Sequence, residues 1–341
     1  MLKKIFLLTL IFACLIKARE WNFYSDINKG LIITPRSEAL AGSDLSLSSG
    51  DLPTGTPANL PFDTMSSITL SYSNYFQNAF STSVLSYIGH IGKQTGYSLA
   101  IGYIFIPDIE IIDDIDTSVS GELIFPEKIK TTSCSDIYIR VGFGKKIISG
   151  GAVECSWGSA LNAQRTRLPD YNGYGIGIDA GMKLLFVKSG ISSSLAFENL
   201  ISSTVWSSSY RESAHPHLRA GLGWERDIPY IYGELRVGYT SPDLFSNEGI
   251  NLVKTYDEDG EEIEKLGFQD LYKRPSLMIL DAKIGIEYII MNRVAVRFGL
   301  TQGKFSFGGG INLFSQKAGV DFSYSNHVLA GIYQISMKYL W

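Results

Sequence analysis

Apolar and polar residues alternate along most of this chain. LDAKIGIEY places Leu280, Ala282, Ile284, Ile286 and Tyr288 on one face and Asp281, Lys283, Gly285 and Glu287 on the other. VAVRFGL from Val294, AGVDFSY from Ala318, LRAGLGW from Leu218, IYIRVGF from Ile137, LRVGY from Leu235 and YGIGIDAGMKLLF from Tyr174 repeat the pattern. So does the final YQISMKYLW, with Gln334, Ser336 and Lys338 between Tyr333, Ile335, Met337, Tyr339 and Trp341. A period of two makes each segment a strand with unlike faces. A soluble sandwich alternates as well, so the ends of the apolar faces decide the fold class. Tyr72, Tyr97, Tyr103, Trp157, Tyr174, Trp224, Tyr239, Tyr288, Tyr324, Tyr333, Tyr339 and Trp341 fall on those faces, as rings of aromatic residues at two membrane interfaces require. The expected fold is all-β, a transmembrane antiparallel β-barrel of about fourteen strands.

Connection lengths support this. Numbered from a first strand near Ser66, the long connections are the third (107–132), fifth (164–172), seventh (201–214) and ninth (241–276). Even connections contain the tight turns KKIISGG, VKSG, ERDIP, IMNR and FSQK. Barrels of the bacterial outer membrane keep short turns on the periplasmic rim and long loops outside, which places both termini in the periplasm.

The first residues, MLKKIFLLTLIFACLIKARE, join two lysines to an apolar run too short to span a bilayer. They read as a signal peptide over 1–18; a lipoprotein leader with Cys14 acylated is the alternative, and either exports the chain. Residues 19–63 form a separate periplasmic or lumenal segment and 64–341 the barrel. Cys134 and Cys155 fall far from opposite one another on neighbouring strands, so no disulfide is expected between them. A net charge of −4, spread along the chain, offers no basic field for nucleic acid. The mean hydropathy of +0.07 is high for an exported soluble protein.

Candidate chemistry is sparse. The glycines of GYGIGIDAG recur at every second position of a strand, unlike a dinucleotide loop, and fit as small inward residues. His215 and His217 with Glu212 lack a third ligand at diagnostic spacing, and YDEDGEEIE lacks the closing Glu of a calcium loop. Ser325 and His327 have no nucleophile elbow around them. Neither an enzyme nor a cofactor is expected. The informative residues are inward charges of both signs: Arg140, Asp179, Lys183, Arg219, Glu234, Arg236, Asp281, Lys283, Glu287, Arg297, Asp321 and Lys338, with Glu154 and Glu198. They read either as cross-strand ion pairs that rigidify the barrel or as the lining of a polar path.

GLIITPRSEALAGSDLSLSSGDLPTGTPANLPF precedes the first strand. Arg36, Ala39, Leu40 and Gly42, then Pro57, Ala58 and Leu60, resemble the N-terminal segment of PorV/PorQ-type outer-membrane proteins, relatives of the FadL long-chain fatty acid transporters. Ala41, Ser43, Thr56 and Asn59 depart from that family's residues. FENL, HLRAGLGWE, FSFGGGINL and the last strand follow the family's order. The resemblance implies a hatch inside the lumen, with Arg36, Gly42, Pro57, Ala58 and Asn59 as its candidate residues. It also implies passive uptake of hydrophobic, fatty acid-like molecules gated by that hatch. Leu45, Leu47, Leu52, Leu60 and Phe62 could line an apolar pocket there. The alternatives are an accessory component of type IX protein secretion and a structural or adhesive surface barrel. Expected partners are outer-membrane lipid and lipopolysaccharide, the barrel-insertion machinery through the C-terminal strand, and hydrophobic small molecules or secretion proteins.

Overall fold

The computed structural model describes residues 33–48, 55–63, 65–111, 116–117, 123–124, 130–245, 279, 282–327 and 329–341. Among them fourteen antiparallel strands, each bonded to its neighbours in chain order, close into a barrel. They are β1 Ser67–Tyr75, β2 Phe80–Ile91, β3 Thr95–Ile111, β4 Lys130–Ile148, β5 Val153–Arg167, β6 Asn172–Phe186 and β7 Ile191–Trp206. The second half comprises β8 His217–Ile228, β9 Gly233–Thr240, β10 Lys283–Ile290, β11 Val294–Thr301, β12 Lys304–Leu313, β13 Ala318–Ser325 and β14 Ile332–Leu340. The last strand closes on the first, from Ser67 opposite Leu340 to Tyr75 opposite Ile332. Closure leaves neither terminal strand with an open edge.

Burial alternates residue by residue along β1, β6 and β11, with the apolar side chains outward. Aromatic rings gather at both rims. On the short-turn rim Tyr87 lies 5.9 Å from Trp341 and Phe143 lies 6.1 Å from Trp157. On the opposite rim Tyr324 lies 5.2 Å from Phe307 and 5.1 Å from Tyr333.

The even connections are tight, at residues 92–94, 149–152, 187–190, 229–232, 291–293 and 314–317. The strands run further than the turn residues suggest. The fifth connection is a turn at 168–171, closed by Leu168 N–H on the Tyr171 carbonyl at 2.8 Å, and not a long loop. The reason is that alternation persists: Gln164 and Thr166 stand opposite Gly175 and Gly173, so β5 and β6 climb on as a paired ribbon. Similarly, β3 passes through Pro107 by a bulge between Ile106 and Ile109, where a missing N–H is tolerated. β7 absorbs 201–206, β4 absorbs KKII and β8 absorbs ERDI from the turns expected there. The acidic run of the ninth connection lies outside the described residues.

Residues 33–48 and 55–62, before β1, lie inside the barrel. Helix α1, Pro35–Ala39, starts at Thr34, whose hydroxyl accepts from Ser37 N–H at 3.3 Å, with proline at the first turn. The chain reverses through Gly42 at φ +71°, which glycine adopts without strain. Two 3-10 turns follow, Asp44–Ser46 and Pro57–Phe62.

Candidate functional site

Glycines on the inner wall determine where this segment sits. Gly96, Gly144, Gly158 and Gly181 stand opposite one another across β3, β4, β5 and β6. Gly223, Gly238, Gly285 and Gly299 do the same across β8, β9, β10 and β11. Each row is a track without side chains, perpendicular to the strands, and a piece of inner backbone lies on each. A Cβ added at Gly158 would come within 2.5 Å of the Pro57 carbonyl carbon, and one at Gly96 within 2.5 Å of the Leu60 carbonyl oxygen. On the other track, a Cβ at Gly299 would come within 2.5 Å of Ala41 N. Leu40, Leu47 and Leu60 are wholly buried in this docking. Leu45 packs on Gly221 and Leu47 on Gly223, so the leucines expected to line a pocket pack against the wall instead. Leu52 lies outside the described residues.

The first half of the segment is held by charge. Arg36 Nε donates to Glu287 Oε1 at 3.0 Å and its Nη2 to Oε2 at 2.6 Å, joining residues 251 positions apart. Arg297 Nε donates to the same Oε1 at 2.6 Å, and Arg236 lies 3.5 Å from Oε2. From there the chain of charges continues through Arg297 to Asp321 at 2.6 Å and Asp321 to Lys338 at 3.4 Å. In the other direction Arg236 meets Glu234 at 2.8 Å and Glu225 at 3.4 Å. Cations and carboxylates match in number along this chain. Arg36 and Arg236 both donate to the Ser48 carbonyl, at 3.3 and 3.2 Å, while Ser48 N–H donates to Glu225 at 2.6 Å.

Mainly neutral hydrogen bonds hold the second half. Ser156 Oγ donates to the Ala58 carbonyl at 2.6 Å, and Arg140 Nη2 to the Gly55 carbonyl at 3.0 Å. Asn59 Nδ2 donates to the Leu45 carbonyl at 2.9 Å and so ties the two halves together. Behind Arg140, Asp179 pairs with it at 2.8 Å and accepts from Asn162 Nδ2 and Asn199 N–H, both at 2.9 Å. Asn199, with φ at 52°, sits where the β6–β7 register shifts, and that bulge aims its N–H at Asp179. At the floor, Phe62 lies between two ammonium groups, 4.5 Å from Lys146 Nζ and 4.9 Å from Lys183 Nζ. Lys146 also pairs with Glu154 at 2.7 Å.

The remaining expected residues fall into place around these. Arg219 pairs with Glu198, the stem of Lys283 packs against Gly42, and Asp281 lies outside the described residues. Tyr138, inward by the alternation of IYIRVGF, donates to Asn162 at 2.7 Å. Two residues beyond those expected also belong to the lumen. Glu225 falls in ERDIP, which reads as a turn, although its parity with Gly221 and Gly223 marks it as inward. Glu38, on α1, is pushed above its ordinary value of 4.5 by burial, with Ser325 and Lys283 pulling the other way.

The long-connection end carries the other motifs. His217 Nδ1 lies 3.2 Å from Asp243 Oδ2, and Asp243 Oδ1 accepts from Leu218 N–H at 2.8 Å. Burial would raise Asp243, but the hydrogen bonds from His217, Leu218 and Phe245 leave it below 3.8. Glu212 accepts from Trp206 Nε1 at 2.5 Å, and His327 packs on Phe76 at 4.6 Å. Cys134 and Cys155 are buried free thiols.

No protein-family model and no curated protein matches the chain. Solved structures do. The TodX deltaS2S3 mutant monoaromatic hydrocarbon channel is 11% identical, with a TM-score of 0.50 over 93% of this chain and 98% of its own. A Pseudomonas aeruginosa FadL homologue is 9% identical, with a TM-score of 0.47 over 90% of this chain and 98% of its own. The Pseudomonas putida toluene transporter TodX is 10% identical, with a TM-score of 0.46 over 90% and 96%. The first of these likenesses is one of fold, which by itself carries no activity.

Proposed function

We propose that the chain is an outer-membrane channel for passive uptake of hydrophobic small molecules, fatty acid or hydrocarbon in type, gated by its N-terminal segment. The observation that carries this reading is a closed barrel whose lumen holds a piece of its own chain, fastened without covalent bonds. The short-turn rim and both termini face the periplasm, and the long connections meet the substrate outside. The neighbour described as a monoaromatic hydrocarbon channel lends support to the substrate class.

The charge network suggests which part moves. Glu287 has three guanidinium partners, so withdrawing Arg36 leaves the carboxylate with Arg297 and Arg236. A buried carboxylate stripped of every partner would cost several kcal/mol, but this one keeps two. Residues 33–48 are therefore the movable half and 55–62 the fixed one. Oleate and toluene uptake into vesicles carrying the full protein is expected to saturate. Deleting 33–63 should give a non-saturable leak that also admits arabinose. Absence of saturable uptake in the full protein and in the deletion would sink the proposal.

One feature favours a second reading. The segment's leucines are spent on wall packing and the lumenal charges are largely paired, which suits a closed barrel that binds secretion proteins of the PorV/PorQ setting through its outer loops. Co-purification of a secretion translocon, with no solute uptake, would support it.

A further inference from the structure

The exposed charges of the two rims differ. On the short-turn rim, the exposed charged residues among those described are Lys93, Lys145, Lys188, Arg226, Arg293 and Lys317, against the single carboxylate of Asp227. Among the described residues of the long-connection rim, the exposed Arg165, Arg167 and Arg211 are matched by Asp108, Glu110 and Asp170. Lys93, Lys188, Arg293 and Lys317 lie in tight turns, and Lys145 and Arg226 stand on β4 and β8 four and three residues before the other two, so the cations are spread around the whole rim.

Their surroundings are those of a membrane interface. Lys145 follows Phe143 on the outward face of β4, opposite Trp157, and Arg226 follows Trp224 on the outward face of β8. Long cationic side chains beside interfacial aromatics lay their stems on apolar surface and lift their charge to the level of lipid headgroups. Beyond the strands, the turns project apolar groups: Tyr230 is 93% exposed, Phe314 78%, Tyr232 71% and Met291 64%. Met291 N–H donates to the Tyr232 carbonyl at 2.9 Å, so adjacent turns present one continuous surface.

We propose that the short-turn rim is a collar that binds the phosphate groups of anionic phospholipids in the leaflet it faces, through six cations spread around it. The collar rests on the outer-membrane reading given above. It selects the lipids around the barrel and fixes its depth. Charge complementarity points to an anionic lipid surface in preference to a protein, because the cations are spread around the rim, two of them beside girdle aromatics, and are not gathered into one docking patch.

The rim supplies its own reporters, Trp157, Trp224 and Trp341. Full-length protein would be refolded into vesicles containing brominated phosphatidylglycerol or, at the same mole fraction, brominated phosphatidylcholine. Quenching should favour the anionic lipid by about fivefold, the effect of one cation near a charged surface at low salt, and the preference should shrink at high salt. The variant K93Q/K145Q/K188Q/R226Q/R293Q/K317Q should still insert and be quenched equally by both lipids. Equal quenching of the wild type, or an unchanged preference in the variant, would overturn the collar alone. Quenching by neither lipid would overturn the membrane reading and the collar with it. Salt-sensitive capture of labelled poly-glutamate by the solubilised protein, without lipid preference, would assign the rim to an acidic polypeptide and overturn the lipid proposal.

Discussion

Glu287 is wholly buried and gathers Arg36, Arg297 and Arg236 around one carboxylate. Glu287→Ala would leave those guanidiniums short of a counter-charge and should destabilise the folded barrel by about 3–5 kcal/mol in micelles, read by thermal or urea unfolding. Replacing Arg36 and Glu287 together by methionine should cost less than Glu287→Ala, since the pair leaves fewer buried charges unmatched. Glu38 gives a pH signature. The unfolded chain ionises it near 4.5 and the folded chain at a higher pH, because burial opposes the charge. Its contribution to stability is thus full below 4.5 and is lost as pH rises through the folded value. The melting-temperature difference between wild type and Glu38→Gln should accordingly grow more unfavourable to wild type from pH 4.5 to 7; a flat difference would contradict it. At this scale parity was legible: Lys183, Glu287, Arg297 and Asp321 face inward as alternation requires. Partnership was not, because Arg36 and Glu287 are separated by nearly the whole barrel, and no local pattern encodes which carboxylate an arginine will reach. Glu38 escaped notice because the residues before β1 follow no strand period.

Among the elements, the glycine tracks and the inner segment depend on each other. Gly158→Ala and Gly299→Ala force a methyl into inner backbone and should each cost about 1–3 kcal/mol and speed proteolysis within 33–63. Gly177→Ala is the control, since its nearest neighbour would be 3.7 Å away and the change should be close to neutral. The Asp243 clamp on β8 belongs to this scale too. A carboxylate held below 3.8 contributes stability above that value and loses it as pH falls through the depressed one. Protease cutting after Phe245 should therefore rise only in strong acid, and in Asp243→Asn at every pH. Strand identity was readable from the period of two, whereas strand ends were not. Turn-forming residues such as Pro107 were absorbed by a bulge, and inward Gln164 and Thr166 carried β5 beyond the point where a loop was expected. The glycines were recognised as small inward residues, but their alignment into tracks appears only once the register of four adjacent strands is known.

At the scale of the molecule, a belt of exposed Ile, Leu, Val and Phe encircles a polar, charged interior. Water would reverse that order, so protein lacking residues 1–18 should aggregate without detergent and show a heat-modifiable band with it. A monodisperse, folded protein in plain buffer would refute the barrel's membrane setting. The fold class was legible because alternation, aromatic rims and loop parity each bear on it independently. Function was less so, since the same wall can enclose a path or a brace.

The two glycine tracks lie in different halves of the barrel, one on β3 to β6 and the other on β8 to β11. Residues 55–62 thus need only β3 to β6 for their seat, while 34–47 need strands that come later in the chain. The two halves of the segment can therefore dock separately, each on its own part of the wall. A nascent barrel stalled after β6 should shield 55–62 from protease and leave 34–47 open to it.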